Sequence, residues 1–118
     1  MTKKSRRTPR DLMTPAALHI LLALAGEDRH GYGIKRDVEE RTGGRLRLGP
    51  GTLYEAVHRM EDDGWIREVE GPEGGAGKRK YYRLAPEGRR RMEEELRRLD
   101  RIVSFARREA LLSTEEAT

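Results

Sequence analysis

Pro50 and Gly64 bracket the stretch that most restricts how this chain can fold. A proline's fixed backbone angle suits the first turn of a helix, where its missing N–H would be unpaired anyway, and a glycine readily takes the left-handed conformation that stops one. Between them Leu53, Val57 and Met60 recur at i, i+4 and i+7 and make one apolar stripe. The opposite side carries Gly51, Glu55, His58 and Arg59, with Thr52 and Tyr54 on its flanks. A short capped helix of this kind lies on the surface of a small body with a chemically varied face turned outward.

Upstream, Thr14-Pro15 is a cap and first-turn pair, Ala16 to Ala25 follows, and Gly26 is the stop. This first helix is apolar nearly all round: Leu18, Leu21, Leu22 and Ala25 form one face, and Ala17, Ile20 and Leu24 spread onto another. Such a helix is buried on both sides, which in a small domain assigns one side to its own core and the other, with Leu18 and Leu22, to a partner subunit. A second helix runs to Gly43-Gly44, with Ile34, Val38 and the stem of Arg41 inward. The glycine-rich turn around Tyr32 lets backbone approach a helix or a phosphate, and Lys35 and Arg36 lie early in the helix, where a positioning helix meets DNA backbone. Read singly, each of these charges is equally well a solvated surface residue.

Arg45-Leu-Arg-Leu48 alternates polar and apolar, the period of a short strand. Trp65 to Glu70 and Lys80 to Leu84 read as two more strands, joined by Gly71-Pro-Glu-Gly-Gly-Ala-Gly77. That is a hairpin with a long tip, a wing. Lys78, Arg79 and Lys80 cluster at its returning edge with Tyr81 and Tyr82 directly after, a combination suited to a phosphate or minor-groove contact. Adjacent strand residues point opposite ways, so one tyrosine faces the core.

From Pro86 to about Leu112 the chain reads as one long helix. Met92, Leu96, Leu99, Val103, Ala106 and Ala110 step alternately by four and three, the seam of a coiled coil, and Ile102 and Phe105 widen its apolar edge. From Ala85 onward acids and bases balance at eight each, so the helix is no DNA clamp; it outruns so small a body and reads as a dimerisation element, the other reading being that its seam packs only on the domain's own first helix.

Composition narrows the classes. The 118 residues suffice for one domain, and with 39% charged and 35% hydrophobic residues the core is small enough for burial across a subunit interface to help. The absence of cysteine excludes disulfides, thiolate catalysis and cysteine zinc sites, and suits a reducing cytoplasm. Lys3, Lys4, Arg6, Arg7 and Arg10 exceed the whole chain's net charge of +4, so the basic balance belongs to an N-terminal arm and the body is nearly neutral. The arm is read as a flexible terminus or as a strand of charge along DNA. Ser5-Arg6-Arg7 ahead of an apolar run imitates a twin-arginine signal, but His19 interrupts that run and cleavage would remove a helix the fold needs. The run is also too short to span a membrane. The three histidines are scattered without serine or carboxylate partners and no phosphate-binding glycine loop follows a strand, so neither catalysis, a cofactor nor a metal site is expected; Glu61, Asp62 and Asp63 read as a solvated helix end.

The expected architecture is mainly α with a small β-hairpin wing: a winged helix-turn-helix over residues 12–84 after a basic arm at 1–11, a dimerisation helix at 85–112 and a frayed tail at 113–118. His30-Gly-Tyr-Gly-Ile34, Gly49-Pro-Gly-Thr-Leu-Tyr54, Glu61-Asp-Asp-Gly-Trp-Ile66, and Lys80-Tyr-Tyr-Arg-Leu84 with Pro86-Glu-Gly88 resemble the PadR family of transcriptional regulators over roughly residues 12 to 110. The resemblance implies a homodimeric repressor that binds palindromic operators and releases them when a phenolic or drug-like molecule alters the dimer. The single C-terminal helix is similar to the smaller PadR subfamily, some of whose members hold flat aromatic ligands between the long helices. Two departures stand out: Ala85 replaces the family's usual capping threonine, and the long helix has no tryptophan, leaving Ile102 and Phe105 as the candidate effector contact.

In such a dimer two copies of the Pro50 helix enter successive major grooves, with Thr52, Glu55, His58 and Arg59 at base edges. Tyr54, Lys35, Arg79 and Lys80 hold phosphates. The competing reading is a winged-helix protein-interaction module that never touches DNA, which lacks the strong salt dependence of DNA affinity.

Overall fold

A computed structural model describes residues 13–72 and 79–112. The basic arm, the tip of the wing with Lys78, and the tail lie outside the described residues. Helix α1 (Pro15–Gly26) begins where expected: the Thr14 hydroxyl accepts from Ala17 N at 3.0 Å and Pro15 occupies the first turn. Its apolar surface is consumed within the chain. Helix α1 packs against α2 (Gly31–Arg41), α4 (Pro86–Arg108) and strand β3 (Tyr81–Leu84), burying Leu18, Ile20, Leu21, Ala23 and Leu24. The assignment of Leu18 to a partner subunit is therefore corrected, since the side chain is buried in the core of its own chain, whereas Leu22 is half-buried.

The sheet differs from expectation at one strand. Arg45 to Leu48 forms no strand; Leu46 and Leu48 alternate because they tuck onto the core. The third strand is β1 (Arg29–His30), which pairs with β3 at Arg29↔Tyr82 and His30↔Tyr81. Strand β2 (Ile66–Val69) takes the other side of β3 from Ile66↔Leu84 to Val69↔Tyr81, so the order is β1-β3-β2 and the central strand has no free edge to offer residues 45–48. Tyr82 is the inward tyrosine, 4% exposed, and burial together with the charges of Glu61 and Glu68 pushes its phenol up to about 12.

Helix α2 closes at Gly43 and Gly44, both at positive φ, and the Thr42 hydroxyl donates to Val38 O and accepts from Leu46 N. Ile34 and Val38 are fully buried, but the Arg41 stem does not join them: it is exposed and paired with Asp37. Helix α3 (Pro50–Asp62) starts with Pro50 and ends before Gly64 at φ 78°, burying Leu53, Val57 and Met60. Its stripe fills the space between α2 and the sheet.

Helix α4 meets the body at Gly88, where the backbone lies against the Trp65 carbonyl so closely that a Cβ has no room. Ala85 N also donates to that carbonyl at 2.9 Å. The helix ends at Arg108, and Ala110 stands at φ 62°, so it leaves the expected seam. Met92 leaves it too, for it is 4% exposed within the chain's own core. Glu95 lies on the buried face and is held by Arg98 at 2.6 and 3.2 Å. The distal helix outruns the body: Leu99 packs on the core, while Ile102 and Phe105 stay 51% and 52% exposed.

Candidate nucleic-acid interface

The stripe of Leu53, Val57 and Met60 turns the remaining residues of α3 outward. Gly51, Thr52, Tyr54, Glu55, His58 and Arg59 are all exposed. Among the described residues the side chains of Thr52, Glu55, His58 and Arg59 make no hydrogen bond or ion pair. This face is a set of donors and acceptors not spent on the fold.

The start of α2 adjoins it. Tyr54 places its phenolic oxygen directly over the Gly31 backbone, and Tyr32 is 56% exposed beside it. Lys35 reaches Glu39 at 2.7 Å and Arg36 reaches Glu40 at 3.1 Å, each one helical turn on, and the Lys35 bond holds the Glu39 carboxyl below its ordinary range. The Arg36 guanidinium also lies 6.0 Å from the centre of the Tyr32 ring. The Arg36–Glu40 pair is exposed and the Lys35–Glu39 pair half-buried, and helical pairs of this kind contribute little to stability.

The returning edge of the wing completes the surface. Arg79 and Lys80 are exposed at the entry to β3, and Arg79 Nη1 comes within 2.6 Å of His30 Nε2. Tyr81 is half-buried, its ring edge-on to the His30 imidazole at 5.1 Å. The Tyr32 ring stacks near the same imidazole at 6.4 Å. His30, Gly31, Tyr32, Tyr54, Arg79, Lys80 and Tyr82 line one open cleft, which joins α2, α3 and the wing.

Sequence reasoning missed His30 as a member of this site. Its Nδ1 accepts from Gly33 N at 3.0 Å and caps α2, a position where serine, threonine, aspartate and asparagine are the usual residues. The partner that draws it into the site, Arg79, is 49 residues away and no local pattern announces it. Arg83, next along the strand, turns away and pairs with Asp28 through two bonds of 3.1 and 2.8 Å, which lowers the Asp28 carboxyl below its ordinary value.

Other expected residues fall elsewhere. Leu96, Leu99, Val103, Ala106, Ile102 and Phe105 lie along α4, away from the cleft, with Arg108 6.0 Å over the Phe105 ring. Among the described residues no group of three or more metal-ligating side chains comes together, and no helix is long and apolar enough to cross a membrane.

Comparison with known proteins gives a consistent result. The model of the transcriptional regulator PadR-like family matches residues 20–94. A transcriptional regulator of Mycobacterium tuberculosis is 35% identical over 86 residues, covering 73% of this chain and 77% of that protein. The crystal structure of a PadR family transcription regulator from Clostridium difficile superposes with a TM-score of 0.68 at 30% identity, covering 80% of this chain and 97% of that one. Bacillus subtilis PadR in complex with operator DNA shares the fold at a TM-score of 0.59 and 22% identity, over 68% of this chain and 45% of that one.

Proposed function

The chain belongs to the PadR-like family of transcriptional regulators, and from that premise we propose that it is a homodimeric repressor that binds a palindromic operator and is released from it by a small phenolic or drug-like molecule. The observation that carries the reading is the outward face of α3, whose Thr52, Glu55, His58 and Arg59 are exposed and, among the described residues, uncommitted, while Leu53, Val57 and Met60 are buried. In this reading Arg59 pairs with guanine and Glu55 accepts from cytosine in the major groove. Tyr32, Tyr54, Lys35, Arg36, Arg79 and Lys80 engage phosphates, with Lys78 and Tyr81 extending the wing's contribution. The solved complex of Bacillus subtilis PadR with operator DNA supports DNA as the partner.

Dimerisation is assigned to the distal part of α4, through Leu96, Leu99, Val103 and Ala106 with Ile102 and Phe105 at the edge, and to Leu22 of α1. A helix that extends past its own body with large apolar side chains exposed has surface to bury in a second copy. Ile102 and Phe105 are then also the effector contact. The test is binding of the purified protein to DNA from upstream of its own gene and to random DNA across a salt series. Tight, salt-sensitive, two-fold footprinted binding to the first is the expected result. Equal, weak, salt-insensitive binding to both contradicts it.

A further inference from the structure

Helix α4 is seated on one residue. Trp65 O accepts from Ala85 N at 2.9 Å, and the Gly88 backbone lies against the same carbonyl. The Arg91 guanidinium covers the Trp65 ring, 5.2 Å from its centre. Trp65 in turn hangs from the last turn of α3, where its N–H donates to Met60 O at 2.9 Å. A single residue thus joins the helix assigned to base reading to the helix assigned to dimerisation.

Gly88 sets how α4 leaves that seat. A glycine in a helix costs about 1 kcal/mol relative to alanine, and what it permits here is the close approach. Every other residue carries a Cβ that overlaps the Trp65 carbonyl, and backbone does not rotate aside as a side chain does. To reach ordinary contact the first turn of α4 must move off by about 1 Å. Met92, one turn further and buried in the core, is the fulcrum. At about 1.5 Å per residue, Gly88 lies about 6 Å before Met92 and Phe105 about 20 Å beyond it, so about 1 Å at one end becomes about 3 Å at the other. That is close to the rise of about 3.4 Å per base pair along DNA.

We propose that Gly88, through its contact with the Trp65 carbonyl, sets the distance between the two α3 helices of the dimer and hence the half-site spacing that the protein accepts, a proposal that rests on the dimeric DNA-binding reading above. Side chains on α3 choose the bases. Gly88, buried in the joint, chooses how far apart they are read.

The test uses the full chain. It has no cysteine, so Glu55→Cys on the exposed face of α3 takes one spin label per protomer, and pulsed dipolar spectroscopy reads the separation of the two α3 helices without DNA. In this background Gly88→Ala is expected to shift the separation by about 3 Å or more. Gly26→Ala, where a Cβ meets nothing, leaves it in place. With Glu55 intact, affinities are then measured on the DNA that wild type protects, rebuilt with its half-sites one base pair at a time closer or further apart. Gly88→Ala is expected to move the preferred spacing by about one base pair and to bind an isolated half-site as wild type does. An unchanged separation, an unchanged preferred spacing, loss of the dimer, or an equal loss on the isolated half-site in folded Gly88→Ala overturns the proposal alone. Where Gly88→Ala does not fold, Arg91→Ala takes its place: it loosens the seat without a clash and is expected to broaden the separation and weaken the discrimination between neighbouring spacings, and a wild-type profile in both overturns the proposal. A wild type without dipolar coupling between its labels, or one that binds an isolated half-site as tightly as the pair, overturns the dimeric reading and the proposal with it.

Discussion

Tyr54 rests its phenolic oxygen on Gly31, so closely that a Cβ at residue 31 and the tyrosine ring cannot coexist in their present places. The contact joins α3 to the start of α2 and positions one of the side chains assigned to phosphate. Because Tyr54 is 45% exposed, its ring has solvent to swing into. Gly31 is buried, but a Cβ there meets only the far end of the Tyr54 side chain, so Gly31→Ala should leave stability within about 1 kcal/mol of wild type, yet weaken DNA binding as much as Tyr54→Ala. The double variant should bind no worse than either single one, because both lose the same contact. Anisotropy titrations of the three variants check this, and additive losses would show that Gly31 acts by another route.

At the start of α4 the backbone of Ala85 has the extended conformation of a helix cap, φ −89° and ψ 163°, with no side-chain oxygen to use it. Ala85→Thr should therefore stabilise the protein by about 1 kcal/mol. Urea denaturation at a fixed protein concentration measures the gain. Thr14→Ala, which removes the cap that α1 does have, should lose a similar amount.

Glu95 is the one charged side chain on the buried face of α4 among the described residues, and its hydrogen bonds from Arg98 hold the carboxyl below its ordinary 4.5. A carboxylate lowered in the folded state contributes stability that is present above the unfolded value and lost as pH falls through the folded one. Stability should decline below about pH 4.5, and Glu95→Gln should flatten that decline while costing stability at pH 7. Denaturation midpoints measured from pH 7 down to pH 3 decide it; an unchanged acid limb in the variant would remove Glu95 from the explanation.

The helices and their caps were legible from the sequence because Pro15, Pro50, Pro86, Gly43 and Gly64 act locally, through backbone angles that neighbouring residues cannot override. The third strand was not. Arg29 and His30 are too few to show a period, and they are a strand only because β3 lies beside them. Residues 45–48 show the period of a strand and have no partner. Likewise Met92 and Leu96 follow the same heptad step, yet Met92 is covered by the chain's own core and Leu96 remains exposed. A seam read from spacing does not reveal which of its residues the body reaches first. The outward face of α3 was visible as a face, but the tie between His30 and the wing depends on a contact with Arg79 across 49 residues.

The exposed apolar side chains of the distal helix make a separate prediction. Phe105→Glu and Ile102→Glu should convert a dimer of the 13.6 kDa chain into a monomer with little loss of helix content, since both side chains are about half exposed in the single chain. Light scattering with circular dichroism measures both quantities. DNA affinity should fall steeply in the same variants, because a monomer holds only one half-site. A wild type that is monomeric when bound to DNA would refute the assignment.

The most direct test of the account is the affinity of Arg59→Ala and Lys80→Ala for the operator and for random DNA. If α3 reads bases while the wing holds phosphates, Arg59→Ala should cost about 1–3 kcal/mol on the operator and little on random DNA. Lys80→Ala should weaken both alike and reduce the salt slope by about one. Equal losses from both variants on both DNAs would contradict that division of labour.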